Sequence, residues 1–279
     1  MKVLVTGSSG RIGAAVCQAL WAEGDEALGL DMRPGLHTTL QADLLDAPAL
    51  RQAIGGTQAV VHCAALHAPQ VGVSPDAAFE RINVDGARAL WAAAQAAGVQ
   101  RVVFTSTTAL YGAAAQVSNQ ALWVTEDTPP APQTVYHRSK LAAENLLQEA
   151  AAQGGPRLTI LRMSRCFPEA LPLMALHRLS RGVDARDVAA AHVLALRHPG
   201  AAGRMFVVSG ATPFLPEDVT SLWHDAPAVL RQRVPALVAA FTQRGWDLPL
   251  RIDRVYDPGR ALRELGWRAQ QGWQAVLAG

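Results

Sequence analysis

The chain has 279 residues, 50% of them hydrophobic and 17% charged, and its formal net charge is +2. Such an apolar fraction in a chain of this length can bury a large core, which excludes an intrinsically disordered protein. Because acidic and basic residues are interspersed and nearly balanced, the charge gives no reason to expect nucleic acid or a membrane surface as a partner.

Along the first two thirds of the chain, short apolar strands alternate with longer amphipathic helices. This alternation is typical of a parallel sheet that is covered by helices on both faces. The predicted strands are residues 2–6, 27–30, 58–63, 101–105, 157–162 and 205–209. The predicted helices are residues 12–21, 76–97, 136–152 and 184–198, with Gly98 ending the second of them.

The last third is less regular. From residue 211 onwards, prolines, four of the seven tryptophans and a helical run over 228–243 predict a smaller lobe beside the sheet. We therefore predict an α/β protein, a Rossmann-type doubly wound parallel sheet with a small C-terminal substrate lobe. Residues 1–165 would form the dinucleotide-binding core. Residues 166–279 would form the compact lobe and return a helix (about 184–198) and a strand (about 205–209) to the core.

The N-terminal run MKVLVTG is typical of a strand and lacks the basic start, apolar stretch and cleavage site of a signal peptide. No apolar run approaches the roughly 18 residues of a membrane span. The cysteines, Cys17, Cys63 and Cys166, have no metal-like spacing. We expect a cytoplasmic protein without disulfides or a metal site.

A glycine-rich turn, TGSSGRIG at residues 6–13, follows the first strand and opens the first helix. Glycines at this spacing allow a sharp turn and a close approach of the backbone to a pyrophosphate, at which the helix N-terminus points its free N–H groups. An ordinary turn is the alternative, but the position between strand and helix favours the phosphate loop. The residues expected to line it are Gly7, Ser9, Gly10, Arg11, Ile12 and Gly13.

Asp31 ends the second predicted strand, where a carboxylate can accept hydrogen bonds from both ribose hydroxyls of NAD and repel the additional phosphate of NADP. Capping a turn before Pro34 is its alternative role. Arg33 could instead hold a 2′-phosphate. The sequence therefore favours NAD and leaves NADP open. Asp43 is a candidate for the adenine edge, and a capping or loop role fits its position equally well.

Six segments, TGSSGRIG, ADLLD, VVHCAA, INVDG, FTSTTALYG and YHRSK, occur in this order, followed by VDARDVAAAHVLAL and VYDPGRALRELGW. In this combination the chain resembles the extended short-chain dehydrogenases/reductases, and among them the NAD-dependent epimerase/dehydratase family. The resemblance is strong over about residues 1–165 and returns near the C-terminus. It implies the fold and the cofactor but not the substrate.

The resemblance implies that Tyr136 is the acid/base and that Lys140 is its partner. Four residues apart on a helix, the two side chains share one face. A free tyrosine has a pKa of about 10. We expect a nearby ammonium to lower the Tyr136 pKa towards working pH, and Lys140 also to hold the nicotinamide ribose. A Tyr-x-x-x-Lys pair alone is often a surface pair, but this one follows the glycine loop along the chain and lies just before the fifth predicted strand.

The family's catalytic hydroxyl corresponds to Thr107, with Ser106 and Thr108 as alternatives. Any of these hydroxyls could instead satisfy the end of a strand. Asn83 matches an asparagine expected to hold backbone near the cofactor. Further residues that the resemblance places near the cofactor are Leu44, Cys63, Ala64, Ala65, Thr105 and Met163.

Two departures from the family pattern narrow the reaction. Family dehydratases carry an acidic residue directly after the catalytic threonine, whereas here Thr108 and Ala109 follow Thr107, so dehydration is disfavoured. Only about twenty residues, 164–183, occupy the region that contacts the nucleotide in members acting on nucleotide sugars. We expect a smaller substrate, such as a free sugar, a sugar acid or a simple carbonyl compound. The compact layout is similar to that of the uronate dehydrogenases.

The short segment and its flank carry a basic cluster that could bind a carboxylate or phosphate, although a solvated basic face explains it equally well. Its members are Arg165, His177, Arg178, Arg181 and Arg186. The residues expected to contact substrate are His67, Ser106, Thr107, Ser164 and Arg165. His67 could equally be a structural histidine.

The leading hypothesis is therefore an NAD(P)-dependent dehydrogenase or reductase acting on a small carbohydrate or sugar acid. A sugar epimerase that retains its NAD is the first alternative. A nicotinamide-sensing binding protein is the second, although such proteins often lose the tyrosine or the lysine. The resemblance also implies a homodimer.

Overall fold

The structure, a computed structural model, describes residues 1–115 and 119–278. Seven parallel strands form the main sheet in the order β3-β2-β1-β4-β5-β7-β8, and β6 pairs with β9 in a separate parallel ribbon. The strands are β1 (Lys2–Thr6), β2 (Glu26–Asp31), β3 (Leu40–Gln41), β4 (Ala59–His62), β5 (Arg101–Thr107), β6 (Leu122–Val124), β7 (Arg157–Met163), β8 (Arg204–Val208) and β9 (Arg254–Tyr256). The predicted doubly wound parallel sheet is thus confirmed. The division at residue 165 stays a prediction.

Twelve helices occur in the described residues. Those in the first two thirds are α1 (Arg11–Ala22), α2 (Ala47–Ile54), α3 (Asp76–Phe79), α4 (Gly86–Ala96), α5 (Val135–Ala152), α6 (Leu171–Ser180) and α7 (Ala185–Arg197). Those in the remainder are α8 (Val219–His224), α9 (Ala226–Arg233), α10 (Pro235–Gln243), α11 (Gly259–Leu265) and α12 (Trp273–Ala278). The six predicted strands are present, whereas β3, β6 and β9 were missed because they are only two or three residues long.

Two predicted helices differ from the observed ones. The run predicted at 76–97 contains a π-helical segment, Glu80–Asp85, between α3 and α4, and it ends before Gly98, whose φ is 70°. The prediction of a single helix over residues 228–243 is wrong, because the structure has two helices there, α9 and α10. The helical run breaks at Val234 because Pro235 has no N–H group and disfavours helical backbone at the residue before it.

The sheet is buried on both faces, as the alternation within β1 shows. Val3 and Val5 point into one apolar cluster with α1 and α7, whereas Leu4 points into a second cluster with α2, α4 and α5. The C-terminal third has a third cluster of its own, which includes Leu230 and Phe241. No helix in the described ranges is both long and apolar enough to span a membrane.

The strand order reverses between β1 and β4, since β2 lies on one side of β1 and β5 lies beyond β4. In open parallel sheets the crevice at such a reversal, at the carboxyl ends of the strands, is where ligands bind. Thr6, His62 and Thr107 end their strands at this edge. The fold therefore brings the glycine loop and the predicted catalytic hydroxyl to one edge of the sheet.

Candidate active site

The glycine loop leaves no room for side chains at its two ends. Gly7 has a φ of 73°, and a Cβ atom there would lie 2.7 Å from the backbone nitrogen of Ala64. A Cβ atom at Gly13 would collide with the carbonyl of Gly7. Helix α1 then begins at Arg11 with neither a side-chain cap nor an acidic residue in its first turn. These uncapped N–H groups fit a pyrophosphate.

The predicted ribose acid closes this loop from the end of β2. Asp31 accepts hydrogen bonds from the backbone nitrogens of Ser9 (3.0 Å) and Arg33 (2.9 Å). The Ser9 hydroxyl in turn donates to the Arg33 carbonyl at 2.7 Å. Asp31 is therefore held beside the phosphate loop, where a carboxylate fits ribose hydroxyls. The Arg33 side chain is exposed and makes no ion pair with the described residues.

The residues predicted near the adenine have other contacts. Asp43 accepts a hydrogen bond from the backbone nitrogen of Leu45 (2.9 Å) and pairs with Arg81 (3.1 Å). Its carboxylate thus has the loop role that the sequence left open, and its contact with the adenine edge stays a prediction. Leu44 is buried against Gly86 in the core, and its predicted contact with the cofactor stays a prediction.

Tyr136, Lys140 and Thr107 come together as the sequence predicts. Tyr136 lies in the first turn of α5, whose N-terminus is capped by the side chain of Thr134, and its phenol lies close to Thr107 at the end of β5. One turn along α5, the Lys140 ammonium donates to the carbonyl of Thr105 at 2.9 Å. The same ammonium lies 3.9 Å from the ring centroid of Phe104. Tyrosine, threonine and lysine therefore meet at the end of β5.

The pKa shifts correct one expectation. Burial raises the pKa of the Tyr136 phenol, and the nearby Thr107 hydroxyl opposes that rise. The expected lowering by Lys140 is wrong for the chain alone, because the ammonium is directed at Thr105 and Phe104. Burial lowers the pKa of Lys140 to about 8, against the opposing attraction of Glu144. Lys140 can therefore change its protonation state near neutral pH.

The three candidate hydroxyls are distinguished by their contacts. Thr107 lies close to Tyr136, and its hydroxyl accepts from the backbone nitrogen of Ala109 at 3.1 Å. Ser106 is buried, and its hydroxyl has no partner among the described residues. Thr108 is also buried at the start of the next 3₁₀ segment. The geometry favours Thr107 as the hydroxyl that acts with Tyr136.

A directed hydrogen-bond chain lies under the site. Nδ1 of His192 is 2.8 Å from the carbonyl of Val188, so Nδ1 carries the hydrogen and Nε2 is the acceptor. The Thr105 hydroxyl, 2.8 Å from Nε2, therefore donates to it, and the Cys63 thiol, 3.1 Å away, donates to Thr105. Sequence reasoning missed His192, although a histidine on the apolar face of a predicted helix was a signal for it.

Asn83 forms hydrogen bonds with main-chain atoms, as the sequence predicts. Its amide bonds the nitrogen (2.8 Å) and carbonyl (3.0 Å) of Leu66 and donates to Ser139 at 2.9 Å. Ser139 donates to the carbonyl of Tyr136. Asn83 thus joins the segment after β4 to the helix that carries the tyrosine. Ser139 was missed, because a serine inside a helix has no sequence signal of this role.

At the carboxyl end of β7, part of the basic cluster is brought together by an acid. Glu169 accepts two hydrogen bonds from Arg165, at 2.8 and 2.6 Å, and lies 3.0 Å from Nδ1 of His177. Arg165 and His67 both lie against the ring of Phe167. The sequence did not identify Glu169, whose position between the two bases depends on how α6 folds back.

The rest of the cluster is dispersed. Arg178 and Arg186 both pair with Asp184, and Arg181 pairs with Asp253 at 3.0 Å. Ser164 is buried, and its hydroxyl has no partner in the described residues, whereas Met163 ends β7 beside Thr107. No group of three or more histidine, cysteine or acidic side chains in the described ranges could hold a metal ion.

The buried histidines His62 and His192 predict a loss of stability in acid. Burial lowers the pKa of His62 to about 3 and that of His192 to about 4, whereas a histidine in an unfolded chain has a pKa of about 6.5. Between these values the unfolded chain binds more protons, so the free energy of unfolding falls as the pH falls. From about pH 7.5 to about pH 5.5 we expect each histidine to remove about 1 kcal/mol.

Urea unfolding at the two pH values measures this loss. In a His62→Asn variant the contribution of His62 to the pH dependence should disappear, whatever the variant's absolute stability. His224 is exposed, and His224→Asn should leave the pH dependence unchanged. A His62→Asn protein with the full pH dependence of the parent would contradict the prediction.

The comparisons with known proteins agree with this geometry. The sequence model of the NAD dependent epimerase/dehydratase family matches residues 3–170. UDP-glucose 4-epimerase of Streptomyces lividans is 36% identical over 168 residues, which are 55% of this chain and 49% of that protein. Cinnamoyl-CoA reductase 1 of Oryza sativa is 30% identical over 247 residues, 74% of this chain and 70% of that protein. Uronate dehydrogenase of Agrobacterium fabrum is 29% identical over 177 residues, 60% and 62% of the two chains.

Several solved structures align over the whole chain, among them a bacterial protein. It is a short-chain dehydrogenase/reductase superfamily protein from Agrobacterium tumefaciens with bound NAD, and it has a TM-score of 0.73 and 28% identity over 100% of this chain and 95% of that one. The match to the Streptomyces epimerase spans about half of that protein's length. The matched family and the aligned fold confirm the resemblance inferred from the sequence. The chain belongs to the NAD-dependent epimerase/dehydratase family of extended short-chain dehydrogenases/reductases.

Proposed function

We propose that the chain is an NAD-dependent oxidoreductase that transfers a hydride at a secondary alcohol or carbonyl of a small polyhydroxy substrate. The observation that carries the proposal is that the Tyr136 phenol lies close to Thr107 at the end of β5, one helical turn from Lys140. When bound, NAD supplies the hydride acceptor or donor. The uncapped start of α1 would hold its pyrophosphate, and Asp31 would hold a ribose.

The chain's own residues handle the proton. Thr107 holds the substrate oxygen beside Tyr136, and the phenol oxygen takes the hydroxyl proton in oxidation or returns it in reduction. Lys140, with a pKa of about 8, is held by the Thr105 carbonyl one helical turn from Tyr136, where it would hold the nicotinamide ribose and so position the substrate carbon beside the phenol. Proton transfer by Tyr136 therefore depends on all three side chains.

The carboxyl end of β7 supports a neutral polyhydroxy substrate. Arg165 is 47% exposed at its side chain, but its guanidinium is already bound by both oxygens of Glu169. A sugar acid would have to displace that carboxylate, whereas a sugar hydroxyl can donate to Glu169 and accept from Arg165 without breaking the pair. We therefore favour a neutral sugar or polyol over a sugar acid.

A Glu169→Gln variant tests this specificity. Removing the negative charge of Glu169 leaves Arg165 free to bind a substrate carboxylate. The ratio of kcat/KM for a hexuronic acid to kcat/KM for the corresponding neutral aldose should therefore rise by about tenfold, which is the contribution of one charge-assisted hydrogen bond. Initial rates of NADH formation on both sugars measure the ratio. Glu149→Gln, an exposed change on α5, is the control. An unchanged ratio would show that Glu169 does not govern the choice of substrate.

The substrate class is tested by a screen of sugars, sugar acids, polyols and simple ketones with NAD(H) and NADP(H). Activity confined to apolar carbonyl compounds would contradict the polyhydroxy assignment. A sugar epimerase is the second candidate, since an epimerase is among the similar proteins. An epimerase would retain NAD through purification and turn over without added cofactor. Light scattering on the same preparation tests the expected homodimer.

The choice between NAD and NADP is predicted to depend on Asp31. In Asp31→Asn the negative charge that repels a 2′-phosphate is gone, and the exposed Arg33 is free to attract it. We expect the ratio of kcat/KM for NAD to that for NADP to fall by about tenfold or more, corresponding to about 1.4 kcal/mol. Fluorescence titration with both reduced dinucleotides checks the same ratio at equilibrium. Asp46→Asn, which alters only the cap of α2, should leave the ratio unchanged.

A further inference from the structure

A second cavity lies apart from the site described above. It has a volume of about 320 Å³ and is enclosed by the C-terminal half of α6, the segment after β8 and the segment that leads into α12. Arg178, a member of the predicted basic cluster, lines it, but none of the residues expected to contact the dinucleotide, and none of His67, Ser106, Thr107, Ser164 and Arg165, does. The charged, polar and large apolar side chains of its lining include Arg178, Arg268, Gln270, Gln274, Trp273 and Pro213. Its size suits a small organic molecule.

The charge of the cavity is positive. Two guanidinium groups, those of Arg178 and Arg268, line it, and no aspartate or glutamate does. Asp184, the carboxylate that pairs with Arg178 at 3.0 Å, is shared with Arg186. Arg268 is exposed and makes no ion pair with any described residue. The lining therefore carries excess positive charge.

Arg178 has an unsatisfied donor. Its side chain is only 10% exposed, and its Nε group is buried without a hydrogen-bond partner among the described residues. Nη2 donates to Asp184, whereas Nη1 is accessible and has no partner among the described residues, so Nη1 can donate to an oxyanion in the cavity. The lining also contains an apolar wall made of Trp273, Pro213 and Val234. The side-chain amides of Gln270 and Gln274 add further donors and acceptors.

We propose that this cavity binds a small organic oxyanion, a carboxylate or phosphate monoester whose apolar body packs against Trp273. Arg178 and Arg268 bind the oxyanion, and the apolar wall binds the rest of the molecule. The site is separate from the dinucleotide loop, so it binds its ligand whether or not the proposed hydride transfer is correct.

Isothermal titration of the full chain with phenyl phosphate tests the proposal. Saturating NADH is present throughout, so that the phosphate loop at α1 does not contribute. We expect saturable binding of one phenyl phosphate per chain, weaker binding of inorganic phosphate and no binding of phenol. Benzoate, compared with phenyl phosphate, distinguishes a carboxylate from a phosphate ligand.

An Arg268→Gln variant assigns the binding to this cavity. Arg268 is exposed and outside the core, so the variant should fold normally, and its affinity for phenyl phosphate should fall about fivefold, which corresponds to about 1 kcal/mol. Arg231→Gln, an exposed arginine outside the cavity, should bind as the parent does. A flat titration of the parent at millimolar phenyl phosphate, or an affinity unchanged by Arg268→Gln, would overturn the proposal.

Discussion

Replacing Tyr136 by phenylalanine is expected to lower kcat by about 10²- to 10⁴-fold, the contribution of one positioned acid/base group. The change removes the phenol oxygen that lies close to Thr107 and leaves the ring in place. Dinucleotide affinity should stay within about twofold of the parent, because the proposed pyrophosphate and ribose contacts lie at the glycine loop and Asp31. Initial rates on the best substrate of the screen and NADH fluorescence titration measure the two effects.

The chain has only three tyrosines, and one of the others is a suitable control. Tyr256 is buried and makes one weak hydrogen bond, to the carbonyl of Thr108 at 3.4 Å. Tyr256→Phe should therefore keep most of the activity. A Tyr136→Phe protein with parental kcat would remove the basis of the proposed mechanism. If that variant also kept its biological effect, a nicotinamide-sensing protein would be favoured instead.

Breaking the buried ion pair between Glu144 and Arg162 should cause the largest loss of stability. The two side chains are 1% and 4% exposed and are joined by hydrogen bonds of 2.6 to 3.2 Å, while Arg162 also donates to Tyr111 at 2.8 Å. Glu144→Gln leaves a buried guanidinium without its counter-charge. We expect the free energy of unfolding to fall by about 3–5 kcal/mol. Urea unfolding followed by circular dichroism measures it.

Two further variants show whether the loss of stability comes from leaving one buried charge unpaired or from breaking an ion pair of any kind. Replacing both Glu144 and Arg162 by methionine removes both buried charges, so most of the lost stability should return. Asp127→Asn breaks an ion pair with Arg260 in which the aspartate is 79% exposed, and it should cost no more than about 1 kcal/mol. A Glu144→Gln protein as stable as Asp127→Asn would contradict the prediction.

The same pair connects stability to the site. Glu144 lies one turn after Lys140 on α5 and raises the Lys140 pKa against the effect of burial. Neutralising it should therefore lower that pKa further below about 8 and shift the alkaline limb of the pH–rate profile. The sequence did not reveal this role, since the charge partner of Glu144 lies on β7.

Local spacing determined what the sequence could predict. The glycines at 7, 10 and 13 follow an apolar strand, and Tyr136 and Lys140 are four residues apart. Both patterns depend on neighbouring residues, because turn and helix geometry fix the positions of residues close in the chain. The fold class and the Tyr–Lys pair were therefore predictable, and the breaks at 80–85 and at Val234 were not resolved by periodicity alone.

Only the tertiary structure decided which distant groups meet. It directs Lys140 at the Thr105 carbonyl, places Glu169 between Arg165 and His177, links Cys63 through Thr105 to His192, and encloses Arg178 with Arg268 in a cavity. Each of these contacts joins side chains from different strands, helices or loops. The distances between these side chains depend on how whole strands and helices pack together, and no spacing along the sequence encodes that packing. The sequence by itself thus determined the fold and the candidate pair Tyr136 and Lys140, and the tertiary structure determined which charged groups lie near that pair.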